Sequence, residues 1–215
     1  MAPRKPKFIT FTGVDEHSNN VSDLWLLQER YPIEWGILAS PKRSGLEPRY
    51  PEIKQMLGIL QAGHLNVALH LCGGHANEIM DFGKVPFDLA AVDRVQINHP
   101  SPSVAAAARF SFLTRKRCIL QTRNAAAFPA SYDVDWLFDI SGGTGRRPKD
   151  WPSHDGRLVG YAGGINPENV LDVIGEIDAT GPYWIDMETG VRNSDDRFDF
   201  DLVRAVCERV YPDEE

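Results

Sequence analysis

A short apolar run leads into a glycine-rich turn at Trp136-Leu137-Phe138-Asp139-Ile140-Ser141-Gly142-Gly143-Thr144-Gly145. Two later runs, 158–162 and 183–187, lead into Gly163-Gly164 and Thr189-Gly190. Glycine permits sharp turns and lets backbone N–H groups approach a ligand closely. One such turn would indicate only a connection between a strand and a helix. Three at the ends of successive strands predict a cradle for a single phosphate group.

The alternation of strand-like and helix-compatible segments extends back to residue 8. It predicts an α/β fold, a single-domain (β/α)8 TIM barrel over residues 8–215, with a doubly wound open sheet as the competing architecture. The predicted strands are 8–12, 34–39, 65–71, 94–98, 117–122, 134–139, 158–162 and 183–187. The predicted helices are 22–30, 51–62, 76–82, 102–112, 166–177 and 198–210, and 125–130 is predicted to be a short helix or irregular.

Composition limits the classes of partner. The 215 residues are 42% hydrophobic and 25% charged, which is ordinary for a globular protein with a core. The net charge of −7 argues against a broad nucleic-acid or anionic-membrane surface, because such surfaces need clustered Lys and Arg. A small phosphorylated ligand is compatible with this charge, since backbone amides and one or two cations suffice to bind it. We expect a monomer or a homodimer.

The remaining compositional signals concern the cellular setting. Cys72, Cys118 and Cys207 are widely spaced and form no CxxC pair, so we expect reduced thiols in a cytoplasmic protein. Residues 1–7 are basic and contain proline without a following apolar segment, and they are predicted to be a disordered basic tail. No apolar run approaches the length of a membrane span.

The last third of the chain resembles the phosphoribosylanthranilate isomerase family. Asp139 with Gly142-Gly143-Thr144-Gly145 resembles the acidic strand end and GGTG turn of that family. The segment 162–170, AGGINPENV, resembles its seventh-strand turn and helix start, and Asp186 with Thr189-Gly190-Val191 resembles its eighth-strand segment. Earlier in the chain, Val95-Gln96-Ile97 resembles its fourth-strand VQL, and Gln96 is therefore a candidate binding residue.

The resemblance implies a TIM barrel, an Amadori rearrangement in tryptophan biosynthesis and a ribose phosphate bound by the last loops. In the family, a first-strand Cys is the general base and the sixth-strand acid, matched by Asp139, is the general acid. Thr12 stands in place of that Cys, and a hydroxyl cannot act as a thiolate base near neutral pH. The fold is therefore expected to carry over more safely than the reaction. The implied phosphate-binding residues are Gly142, Gly143, Gly163, Gly164, Thr189 and Gly190.

Polar residues at the predicted strand ends provide the candidate chemistry. The carboxyl ends of all strands in such a barrel face one mouth, and we place Thr12, Asp139, His70, Asn98, Gln121 and Glu188 there. Asp139 in a semi-enclosed mouth would act as a proton donor if burial raised its pKa; the alternative is a structural cap on the glycine turn. Because strands eight and one are neighbours in a closed barrel, Glu188 is predicted to lie beside Thr12, where it replaces the base or recognises a different substrate.

Two arginines and two groups of His, Asp and Glu residues are candidates for binding an anion or a metal ion. Arg49 resembles the family arginine that faces the substrate carboxylate, and Arg43 is an equally suitable residue; either guanidinium suits a planar carboxylate, and a solvated surface position is the alternative. His70, His75 and Glu78, or Asp15, Glu16 and His17, could supply metal ligands, but neither spacing is a recognised motif and no metal is assigned. No cofactor is assigned, and Gly142-Gly143-Thr144-Gly145 lacks the P-loop pattern.

Three functions remain open on the sequence. The first is an aldose–ketose isomerase of the phosphoribosylanthranilate isomerase type, acting on a phosphorylated sugar-type molecule with Asp139 as general acid. The second is a divergent barrel enzyme that keeps the phosphate site and catalyses another reaction. The third is a non-catalytic protein that binds a phosphorylated ligand. The glycine turns support all three, because function belongs to the site and not to the fold.

Overall fold

The computed structural model describes residues 3–15 and 20–212, and it contains a closed barrel of eight parallel strands. Each strand pairs with the next, and β8 pairs with β1 to close the barrel. The predicted TIM barrel is confirmed, and the open sheet is excluded by this closure. The strands are β1 (Phe8–Thr12), β2 (Ile33–Ala39), β3 (Val67–Cys72), β4 (Arg94–Asn98), β5 (Arg117–Thr122), β6 (Asp135–Asp139), β7 (Val159–Ala162) and β8 (Tyr183–Met187).

Six α-helices surround the barrel in the described ranges. The segments between β5 and β6 and between β6 and β7 are irregular. Residues 125–130, predicted to be either a short helix or irregular, are therefore irregular. The helices are α1 (Val21–Arg30), α2 (Ile53–Gln61), α3 (Gly74–Phe82), α4 (Val104–Thr114), α5 (Val170–Ile177) and α6 (Phe200–Val210).

Helix boundaries follow local hydrogen bonding. Asn20 caps α1 by accepting a hydrogen bond from the backbone N–H of Asp23 at 2.9 Å. α5 begins four residues later than predicted, because Asn166 and Asn169 accept bonds from each other's backbone N–H groups at 3.0 Å. These two bonds close a separate turn, and the helix starts only after it.

The interior of the barrel is filled differently at its two ends. Near the amino ends of the strands, Arg94 donates to Glu34 at 2.6 and 2.7 Å and lies 3.5 Å from Asp135. The guanidinium of Arg94 also lies 4.3 Å from the ring centre of Trp184. A buried charge of this kind is tolerated because it is paired and hydrogen-bonded. This charged layer and Trp184 close the bottom of the barrel.

Trp184 fits because β7 has no side chain at Gly160. A Cβ placed on Gly160 would lie 2.3 Å from the Trp184 ring and 2.7 Å from Leu137. Trp184 is fully buried and packs in one apolar cluster with Ile119, Leu137 and Ala162. This cluster forms a floor across the barrel, so the space above it is open at the carboxyl ends of the strands.

Part of the predicted disordered tail makes contacts with the barrel. Lys7 donates its backbone N–H to the Tyr183 carbonyl at 2.7 Å, and the Tyr183 hydroxyl donates to the Arg4 carbonyl at 2.6 Å. The Tyr211 hydroxyl donates to the Pro6 carbonyl at 2.9 Å. Residues 4–7 therefore pack beneath the barrel, where the sequence predicted disorder. Met1 and Ala2 lie outside the described residues.

We predict that Gly160→Ala lowers the free energy of unfolding by about 1–3 kcal/mol, because the added methyl group overpacks the Trp184 floor. Gly175→Ala is the matched control: Gly175 is exposed on α5 and a Cβ there meets nothing within 4 Å. That variant should be neutral or more stable by up to about 1 kcal/mol. Urea unfolding of both variants provides the measurement. Equal stability of the two would show that Trp184 does not depend on the missing side chain.

Candidate active site

A cavity of about 850 Å³ opens at the carboxyl ends of the strands. Residues from all eight strands line it, and its size is that of a site for a small molecule. Thr12, Asp139, His70, Asn98, Gln121 and Glu188, which the sequence places at the mouth, all line this cavity. The structure thus brings the candidate polar residues together in one space.

The first and last strands meet through Thr12 and Asp186. The Thr12 hydroxyl donates to Asp186 Oδ1 at 2.8 Å, and Gly36 on β2 leaves the space that the Thr12 side chain occupies. Burial raises the pKa of Asp186 well above its ordinary value, and neighbouring acidic side chains, including Glu188 and Asp139, raise it further. The raised pKa favours the protonated form of the Asp186 carboxyl group. Thr12 is bound to this residue and not to Glu188, which lies two positions further along the chain.

Asp139 is held by the turn that follows it. Its Oδ1 accepts bonds from the backbone N–H and the hydroxyl of Ser141, both at 2.7 Å, and its Oδ2 accepts from Gln121 at 3.3 Å. Asp139 therefore caps the glycine turn, as the structural alternative predicted, and it also lines the cavity. A capped carboxyl group is fixed in position, and this is compatible with a role in proton transfer.

Glu188 and Arg49 form an ion pair at the rim. Arg49 donates to Glu188 Oε1 at 2.7 Å and makes bonds of 2.9 to 3.1 Å to Asp196. Burial raises the pKa of Glu188, although Arg49 opposes this effect. The guanidinium of Arg49 thus already binds two carboxylates. It is poorly placed to receive the carboxylate of a substrate, which was its predicted role.

The three glycine turns converge on one side of the mouth. A Cβ on Gly145 would lie 3.0 Å from the Thr189 side chain, and one on Gly164 would lie 2.8 Å from the Gly145 carbonyl oxygen. At Gly190 a Cβ would lie 1.9 Å from the Ile165 carbonyl oxygen, so no larger residue fits between the loops after β7 and β8. All the predicted phosphate-binding residues of these turns line the cavity: Gly142, Gly143, Gly163, Gly164, Thr189 and Gly190.

Arg123 is a cation beside these turns that the sequence argument did not single out. It follows β5, lines the cavity, and its Nη2 would lie 3.4 Å from a Cβ on Gly142. Among the described residues no hydrogen bond or ion pair of its side chain is found, unlike Arg49. The sequence could have indicated Arg123, because it lies two residues after Gln121 and residues two apart along a strand point to the same face.

The wall opposite the glycine turns is formed by β3 and β4. His70 and Gln96 are paired in the strand register, are 2% and 3% exposed, and line the cavity. Burial, with a smaller effect of Arg94, lowers the pKa of His70 to about 3, so the imidazole is neutral. Gln96, which was predicted from the fourth-strand resemblance, thus lies in the mouth.

The first set of candidate metal ligands comprises His70, His75 and Glu78. His75 Nδ1 lies 3.8 Å from Glu78 Oε2, while His70 points into the barrel. Across residues 3–15 and 20–212, no group of three or more His, Cys, Asp or Glu side chains has an arrangement that could hold a metal ion. Glu16 and His17 of the second candidate set lie outside the described residues.

Comparison with known proteins identifies the fold. No protein-family model and no curated protein sequence matches the chain. Among solved structures, phosphoribosylanthranilate isomerase from Thermotoga maritima matches with a TM-score of 0.61 at 16% identity, covering 96% of this chain and 99% of that chain. TrpF from Jonesia denitrificans gives 0.63 at 16% identity over 94% and 96%, and the Pyrococcus furiosus isomerase gives 0.62 at 17% identity over 94% and 98%.

The fold is that of the phosphoribosylanthranilate isomerases. At this level of identity the likeness establishes the architecture, and the residues of the mouth must decide the chemistry. Asp186, the hydrogen-bond partner of Thr12, is a residue of the mouth to which the sequence alone assigns no role. None of the helices in the described ranges has the length and apolarity that a membrane crossing needs.

We predict that Asp186→Asn becomes more stable relative to the wild type as pH rises. Asp186 keeps its proton in the folded protein, whereas an unfolded chain releases it at about pH 4, so wild-type stability is lost from there up to the raised folded pKa. Asn cannot ionise, and the difference in unfolding free energy should grow by at most about 1.4 kcal/mol per pH unit.

Urea unfolding at intervals from pH 4 to 7 measures this difference. Asp81→Asn, an exposed carboxylate on α3, serves as the control and should show no comparable trend. A difference between Asp186→Asn and the wild type that stays constant with pH would show that Asp186 is ionised in the folded protein.

Proposed function

We propose that the chain is an enzyme that isomerises a phosphorylated sugar-type molecule by an Amadori-type reaction. One observation carries this proposal: the glycine turns after β6, β7 and β8 meet at one side of a cavity that also contains Asp139 and Asp186. A phosphate group held by the turns would place the attached sugar over these two carboxyl groups.

The phosphate is proposed to lie against the turns that contain Gly164 and Gly190, with Arg123 as its cation. Backbone N–H groups and a single guanidinium suffice to bind a phosphate group. The overall charge of −7 makes such a local arrangement necessary, because the protein as a whole repels anions. A phosphoribosylanthranilate isomerase with the same fold has been solved with reduced 1-(o-carboxyphenylamino)-1-deoxyribulose 5-phosphate, a ligand that carries a phosphate.

The proton donor is proposed to be Asp139, supported by Asp186. Both residues are paired in the strand register with Ala162, and Asp139 is among the groups that raise the pKa of Asp186. Like charges in one cavity disfavour ionisation of the buried Asp186. In the proposed reaction, Asp139 gives a proton to the ring oxygen of the sugar, and the opening of the ring forms a cationic imine.

A different phosphorylated substrate is the second candidate, and the rim favours it. Arg49, the predicted partner of an anthranilate carboxylate, is occupied by Glu188 and Asp196. Arg43 lines the cavity and is more exposed, but it has a Tyr50 hydroxyl as partner. A divergent enzyme would use the same phosphate site and bind a different substrate group at the rim. A non-catalytic protein would bind such a ligand without turning it over.

We predict that D-ribose 5-phosphate binds the wild type and that Arg123→Gln weakens this binding about 10-fold, through loss of a charge-assisted hydrogen bond to the phosphate. Arg109→Gln removes the same charge on the outer, exposed side of α4 and should leave the Kd unchanged. Isothermal titration calorimetry at low salt gives the three affinities. Equal weakening by both variants would mean that only the overall charge of the protein matters, and the phosphate site would then be wrong.

We predict that Asp139→Asn lowers kcat on phosphoribosylanthranilate by at least about 100-fold, the usual contribution of a general acid, with ribose 5-phosphate still bound. The loss of substrate fluorescence measures turnover. Asp172→Asn, exposed on α5, should keep wild-type activity. If the wild type does not turn over this substrate but binds ribose 5-phosphate, the second substrate candidate or the non-catalytic binder replaces the isomerase.

A further inference from the structure

The reaction proposed above requires a base, and the position of the family's thiol does not supply one. Thr12 is a hydroxyl that donates its hydrogen bond to Asp186, and burial raises the pKa of that carboxyl group, which favours its protonated form. Glu188 is bound to Arg49, and the lowered pKa of His70, about 3, makes its imidazole a very weak base. The base must therefore come from another wall of the cavity.

Cys72 lies in the cavity at the carboxyl end of β3. It is the half-buried member of the three free cysteines, whereas Cys118 and Cys207 are fully buried. Two side chains donate hydrogen bonds to its sulfur: Asn98 Nδ2 at 3.2 Å and the Tyr50 hydroxyl at 3.8 Å. Donors directed at a sulfur favour its thiolate form, because the thiolate is the stronger acceptor.

Each of the two donors is oriented by a further donor. Gln96 Nε2 donates to Asn98 Oδ1 at 3.0 Å, which directs the amide group of Asn98 toward the sulfur. Arg43 donates to the Tyr50 oxygen at 3.0 Å, which leaves the hydroxyl hydrogen for Cys72. Two chains of hydrogen bonds therefore end on one sulfur atom, and one of them begins at a positive charge.

An independent observation indicates that a ligand belongs beside this sulfur. His70 Nε2 and Gln96 Oε1 are buried and have no hydrogen-bond partner, although both residues line the cavity. Leaving a buried polar atom unpaired is unfavourable, and a ligand that supplies the partners removes this cost. In the strand register His70 pairs with Gln96, and Cys72 pairs with Asn98 two residues nearer the mouth.

We propose that Cys72 is the catalytic base of this barrel, and that the thiol has moved from the first strand to the third. This inference rests on the proposed isomerase function. In the ring-opened imine, the Cys72 thiolate takes the proton from C2. The C2–H electron pair forms the C1=C2 double bond, and the C=N electron pair returns to nitrogen to give an enolamine. The enol then loses its O–H proton and C1 gains one, which yields the ketone and restores both enzyme groups through proton exchange with water.

The pH dependence follows from the groups that face the sulfur. Burial raises the pKa of Cys72, Glu188 raises it slightly, and the donors Asn98 and Tyr50, with Arg43 behind them, lower it. The net pKa is above the ordinary value, so the thiol form predominates at neutral pH. The thiolate fraction, and with it turnover, should increase as pH rises from 7 to 9, and the cationic imine adds to this stabilisation of the thiolate.

Alkylation by iodoacetamide tests the thiol without knowledge of the natural substrate. Peptide mass spectrometry follows the three cysteines separately from pH 6 to 10, in the wild type, Asn98→Ala and Tyr50→Phe. We expect Cys72 alone to react in the folded protein, with buried Cys118 and Cys207 as internal controls.

Loss of either hydrogen-bond donor should raise the apparent pKa of Cys72 and slow its alkylation several-fold at pH 8. Saturating ribose 5-phosphate should slow alkylation of Cys72 at least about 10-fold. Unchanged alkylation in both donor variants would overturn the proposal, and so would the absence of protection when calorimetry shows that ribose 5-phosphate is bound.

Turnover of phosphoribosylanthranilate by Cys72→Ser and Cys72→Ala provides the second arm. We expect a loss of kcat of at least about 100-fold and disappearance of the rise in activity between pH 7 and 9, with the affinity for ribose 5-phosphate retained. Activity within threefold of the wild type would overturn the proposal. A wild type without turnover would refute the isomerase function on this substrate, and the alkylation results alone would then decide whether Cys72 is a tuned thiol of the site.

Discussion

The hydrogen bond between Thr12 and Asp186 joins the first strand of the barrel to the last, across 174 positions of the chain. It exists because β8 pairs with β1, and it brings a hydroxyl together with a buried carboxyl group whose pKa is raised. The Thr12 hydroxyl can orient a ligand but is too weak a base to remove a proton from carbon. The base that we propose therefore lies on another strand, at Cys72.

Above the Trp184 floor, the two facing walls of the cavity carry different chemical groups. The glycine turns and Arg123 form the side that suits an anion, and Asp139 and Asp186, to which we assign the proton transfer, line the same cavity. On the facing side, β3 and β4 direct hydrogen bonds to Cys72 and leave His70 and Gln96 with unpaired buried atoms. The arrangement depends on close packing below, since Gly160 must lack a side chain for Trp184 to fill the barrel.

The sequence predicted the barrel and most of its strands because these signals are local: apolar runs of strand length, each ending at glycine or a polar residue. It also predicted that Asp139 and the glycine turns share one mouth, since the carboxyl ends of parallel strands always do. It did not predict that Arg49 is bound by Asp196, or that Thr12 donates a hydrogen bond to Asp186 and not to Glu188. These contacts depend on side-chain reach and on loop paths between distant segments. The late start of α5 was missed because Asn166 and Asn169 close a turn of their own.

The central claim is that one phosphorylated sugar spans the mouth from the glycine turns to Cys72. A crystal structure of the protein soaked with D-ribose 5-phosphate tests it most directly. We expect the phosphate within hydrogen-bond distance of backbone N–H groups around Gly164 and Gly190 and of the Arg123 guanidinium, with the sugar between Asp139 and Cys72. A phosphate bound elsewhere, or a sugar that reaches neither side chain, would contradict it.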